Sequence, residues 1–71
     1  MPNQPQVHVR FQGRSLDYLQ SDLEVDGSTD RDTIKMRVAQ QLDVGISELD
    51  GYVVDIRPDG EITVHPEAVY G

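Results

Sequence analysis

The sequence predicts a small α+β domain in which one helix covers a sheet made of two β-hairpins. Three observations carry this. Val7-His8-Val9-Arg10-Phe11 alternates strictly, with Val7, Val9 and Phe11 on one side, the pattern of a half-buried strand. Ile34, Val38 and Leu42 recur at i, i+4 and i+8 with Ala39 beside them, the stripe of an amphipathic helix. Tyr52-Val53-Val54-Asp55-Ile56-Arg57 and Glu61-Ile62-Thr63-Val64-His65 flank Pro58-Asp59-Gly60, where Pro presets φ and Gly closes the turn of a hairpin. A helix with a stripe of this width can cover one face of four strands. The architecture expected is therefore two-layer, β-hairpin–helix–β-hairpin, over residues 7–71. Residues 1–6, with two prolines and three amides, read as a flexible N-terminal tail.

The remaining elements follow in order. Gln12-Gly13-Arg14 is a turn centred on the one residue that adopts positive φ freely. Ser15 to Val25 has two readings, because Leu16 and Tyr18 share one parity while Leu19, Leu23 and Val25 share the other. A strand broken or bulged near Leu19–Asp22 keeps both sets inside, and a tight Gly turn favours such a returning strand. A short helix after Ser15 would instead align Leu16, Leu19 and Leu23. Ser28 or Thr29 is expected to cap the main helix, with Asp30 and Asp32 complementing its dipole and Gly45 stopping it. Ile46 to Gly51 reads as one helical turn, capped by Ser47, with Ile46 and Leu49 packed beneath. Pro66, lacking an N–H, ends the last strand.

Composition sets the limits. Nine Val, five Leu, four Ile and one Phe exceed the fifth of the chain below which charged sequences stay disordered. At 71 residues, stability is nevertheless thin. With no cysteine there is no disulfide, thiolate metal site or cysteine nucleophile, and two histidines do not make a common structural zinc pattern. Thirteen acids against six bases give a net charge of −7, a field that repels nucleic acid and anionic lipid. No apolar run is long enough to span a membrane. Without a charged-then-apolar leader pattern, a cytoplasmic location is expected.

The element order, the Gly13 turn, the Asp32-Thr33-Ile34 run at the start of the helix, Gly45-Ile46 after it and the C-terminal Gly71 together resemble the ubiquitin-like β-grasp fold. The resemblance covers residues 7–71 and implies one helix packed on a mixed four-stranded sheet. It also implies one chemistry. Ubiquitin-like modifiers and the related sulfur carriers are activated at an exposed C-terminal glycine, which makes Gly71 the conjugation candidate. Those proteins end in Gly-Gly, where this chain ends Tyr70-Gly71.

Other candidate groups read as structural. His8 and His65 occupy outward parities of strands that could pair, and read as surface histidines. Asp17, Asp22, Glu24, Asp26, Asp30 and Asp32 do not follow the spacing of a calcium loop and read as solvated charge with helix-dipole compensation. No G-x-S-x-G elbow is present, and the serines lie in turn or cap contexts. The function expected is that of a small acidic, non-enzymatic, protein-interaction domain with no cofactor and no metal, a monomer or weak homo-oligomer. Its binding surface is expected on the sheet face or edge that carries Val53, Asp55, Thr63 and Tyr70, facing a protein partner with a basic surface. The second function class is the modifier or sulfur carrier.

Overall fold

A computed structural model of the protein describes residues 4–67. Strands β1 (Gln6–Phe11) and β2 (Arg14–Leu19) form the first hairpin, followed by the short helix α1 (Gln20–Leu23) and the main helix α2 (Arg31–Leu42). A 3₁₀ turn (Ile46–Leu49) leads into the second hairpin, β3 (Tyr52–Ile56) and β4 (Ile62–Pro66). The four strands make one mixed sheet in the order β2-β1-β4-β3. Both hairpins are antiparallel, and the first and last strands run parallel at the centre, Val7 beside Ile62 and Val9 beside Val64. The chain is thus a small α+β domain with one main helix, as the periodicities predicted.

Alternation decides which way each strand faces. Val7, Val9, Phe11, Val54, Ile62 and Val64 are buried, and they share one hydrophobic cluster with Ile34, Val38 and Ala39 of α2. Leu16 and Tyr18, opposite Val9 and Val7, pack against the same cluster, as does Tyr52, whose ring centroid lies 6.1 Å from that of Phe11. The opposite parity of every strand faces away from the helix.

The turns are written in backbone signs. Gln12 and Gly13 both have positive φ, 52° and 76°, as a two-residue turn matched to strand twist requires. In the second hairpin Gly60 has φ +93°, while its N–H donates to the carbonyl of Arg57 at 2.9 Å.

Several local expectations are corrected. The stretch from Ser15 is not one helix but a strand broken at the expected place: β2 runs to Leu19, and a single helical turn fills the break. The change of element brings Leu23 and Val25 inside without an unpaired bulge residue. Ser28 and Thr29 do not cap α2; its N-cap is Asp30, with no side-chain cap bond. Gly45 does not stop α2 either. Asp43 takes the left-handed conformation (φ 59°), and the N–H groups of Asp43 and Val44 close on the carbonyls of Gln40 and Ala39. Ser47 makes no cap bond to the 3₁₀ turn, and of the two residues expected beneath it only Leu49 is buried, Ile46 being half exposed.

Ser28 and Thr29 serve Asp26 instead. The Ser28 N–H and hydroxyl donate to Asp26 Oδ1 at 2.8 and 2.6 Å, and the Asp26 N–H donates to Thr29 Oγ1 at 2.9 Å. The Ser28 hydroxyl first, then the Ser28 N–H, with Thr29 adding, hold this carboxyl below 3.8. A depressed folded-state value means that stability is gained above the unfolded value and lost as pH falls through the folded one. Thermal melts of Asp26→Asn should therefore lie below wild type at neutral pH and converge with it in acid, once the native carboxyl is protonated. A gap that stays constant across that range would show the ionised form has no part in the turn.

Candidate functional site

The face of the sheet turned away from the helix is built by the outward parity of all four strands. Its cross-strand register gives two neighbouring rows. In the first, Asp17 of β2 pairs with His8 of β1, His8 with Thr63 of β4, and Thr63 with Asp55 of β3. In the second, Ser15 pairs with Arg10 and His65 pairs with Val53. Since Val9 pairs with Val64, the next residues, Arg10 and His65, bring the two halves of this row together. The rows lie two residues apart along the strands, roughly 7 Å.

Three of the four residues expected to form a binding surface, Val53, Asp55 and Thr63, are therefore immediate neighbours on one face. Val53 is 37% exposed, one of three large apolar side chains so open among the described residues, with Met36 and Ile46. Tyr70 and Gly71 lie outside the described residues.

The first row is internally engaged. His8 Nδ1 donates to Asp17 Oδ1 at 2.8 Å, and His8 Nε2 lies 3.7 Å from Glu61 Oε2. That same Glu61 oxygen accepts the backbone N–H of Gln6 at 2.7 Å. His8 thus joins β2, β1 and the start of β4. Both of its ring nitrogens face carboxylates, but these do not converge on a common point. No group of three His, Cys, Asp or Glu side chains suited to a metal ion occurs among the described residues.

The second row borders a shallow hollow of about 350 Å³ lined by Arg10, Gly13, Thr63, His65 and Pro66. His65 Nδ1 donates to the carbonyl of Pro66 at 3.1 Å. Arg10 forms no ion pair among the described residues.

The outer edge of β3 is partly closed. The Arg57 N–H donates to the Glu61 carbonyl at 2.8 Å, which sets the hairpin alternation and turns the backbone of Val54 outward. The Nε of Arg31, on α2, donates to that Val54 carbonyl at 3.2 Å. A cation placed on an edge carbonyl obstructs pairing by a further strand, so the open face, not the β3 edge, is the accessible part of the second hairpin.

The residues that sequence reasoning missed are polar ones with tertiary roles. Arg10 was assigned only to a strand, and Gln20 and Glu61 carried no motif. Outward parity beside a second paired strand was the signal available for Arg10. None existed for Gln20.

No known protein family, curated protein or solved structure matches the chain. No helix among the described residues is long and apolar enough to cross a membrane.

Proposed function

We propose that this chain is a non-enzymatic protein-interaction domain of ubiquitin-like β-grasp fold, acting in the cytoplasm through the open face of its sheet. The parallel pairing of first and last strands, with the helix in the connection between hairpins, supports the two-layer β-grasp reading. One observation carries the functional reading. Val53, an exposed apolar side chain, sits in a contiguous patch with Asp55, Thr63 and His65, on the face the helix leaves uncovered. An apolar centre rimmed by polar groups is the ordinary make-up of a contact surface. The occupant favoured is a protein with basic residues at its contact surface, since the chain carries −7 and Asp17, Asp55 and Glu61 lie on or beside this face.

The test begins with a photo-crosslinking residue at position 53, which identifies the contacting protein. That protein, purified, is then titrated against wild type and Val53→Glu. The substitution should weaken binding by roughly tenfold or more, through burial of an unpaired charge, and leave the circular dichroism spectrum unchanged. Unchanged affinity, or crosslinks only to a second copy of this chain, would overturn the reading.

A further inference from the structure

We propose that the hollow between Arg10, Thr63 and His65 is an oxyanion subsite on the open face, filled by an acidic side chain of the protein partner. The inference rests on the open face being the contact surface and adds the chemistry of one of its contacts.

Three features carry it. The first is convergence. Strands β1 and β4, parallel at the sheet centre, bring a guanidinium, a hydroxyl and an imidazole to one concavity, bordered by the side-chain-free Gly13 turn. Arginine supplies a planar fork of donors that matches a carboxylate or phosphate, and the Thr63 hydroxyl can add another. The second is charge accounting. Acids outnumber bases by about two to one in this chain, yet the carboxylates nearest the sheet centre on this face, Asp17 and Glu61, are drawn to His8. The charge of Arg10 is left without a partner among the described residues. The third is the His65 ring. With Nδ1 donating to the Pro66 carbonyl, its orientation is fixed and the ring forms one wall of the hollow.

The face therefore has two signs, side by side. The row ending in Asp17 and Asp55 suits basic groups, and the row holding Arg10 and His65 suits an acidic one, roughly 7 Å away. An extended segment with a basic residue and an acidic residue at i and i+2 has that spacing. A partner carrying only basic residues would leave Arg10 desolvated and unpaired, which is costly.

The test uses the protein alone. ¹⁵N-labelled chain is titrated with inorganic phosphate and, separately, with N-acetylglutamate amide, against sodium chloride at equal ionic strength. Saturable shifts are expected for Gly13, Thr63, His65 and the Arg10 side-chain Nε–H, weakened roughly tenfold or more in Arg10→Gln. Thr63→Val should weaken them less. Saturation by the glutamate derivative supports the proposal. Saturation by phosphate alone would overturn the carboxylate assignment. Equal drift at Arg14, Lys35 and Arg57, or shifts unaltered by Arg10→Gln, would overturn the subsite altogether. Because no partner is present, this failure is separable from failure of the open-face reading, which the position-53 experiment decides.

Discussion

Leu49→Ala should remove about half of the domain's stability at 25 °C and lower its urea midpoint in proportion. Leu49 is fully buried in a single 3₁₀ turn, at 0% exposure, although the residues around it are exposed. Truncating a fully buried leucine costs about 2–5 kcal/mol, because the cavity adds to the lost transfer energy. At about 0.05–0.15 kcal/mol per residue, a chain of this size holds roughly 4–10 kcal/mol in all. No disulfide is present to soften the loss. Ile46, three residues away and 51% exposed, provides the control: Ile46→Ala should change stability by no more than about 0.5 kcal/mol. Urea denaturation followed by circular dichroism reads both. A Leu49→Ala midpoint close to wild type would mean that the turn is not part of the cooperative core.

The second large effect is expected at Gln20. This residue is 4% exposed, the one polar side chain buried among the described residues, and its amide donates to two carbonyls from distant parts of the chain. Nε2 bonds to Gln6 O at 3.1 Å and to Gly60 O at 2.6 Å, while its own N–H donates to Pro5 O at 3.0 Å. One side chain thus ties the end of the first hairpin to the loop of the second. Gln20→Ala leaves two acceptors without that donor and should cost about 1–3 kcal/mol. Gln20→Glu should cost more, because it sets a carboxylate against two carbonyl oxygens. Amide hydrogen exchange is the sharper measurement. Exchange in both variants should accelerate first at Gly60 and Glu61, ahead of α2. Uniform acceleration would argue that Gln20 contributes volume alone.

These two residues mark the boundary of what could be read in the sequence. Alternation over 7–11, the stripe through Ile34, Val38 and Leu42, and the Pro58-Asp59-Gly60 turn are local signals with period or turn chemistry behind them. They placed three strands and the helix. Element ends were less legible, because they depend on competition between neighbours. Ser28 and Thr29 have the right chemistry to cap α2, but Asp26 lies close enough to claim them for a turn. Gly45 is the best residue for a left-handed stop, yet Asp43 adopts that conformation two residues earlier. Gln20 leaves no local trace at all, since its role depends on carbonyls 14 and 40 residues away. The candidate surface follows the same logic. Val53, Asp55 and Thr63 came from strand parity. The pairing of His8 with Asp17 and Glu61, and the Arg10–His65 hollow, depend on register and on which strands meet.

The parallel contact between β1 and β4 has a temporal consequence. Gln6 and Glu61, joined at the start of that contact, are 55 residues apart in sequence. During synthesis α2 is available to cover the first hairpin, but the β1 edge that pairs with β4 stays open until the chain has been made through Val64. Contacts that close such long loops slow the search for the native state. The centre of the sheet is therefore the last part that can assemble, and a nascent chain stalled within the second hairpin would display the unpaired backbone edge of β1, from Val7 to Val9, to whatever surrounds it.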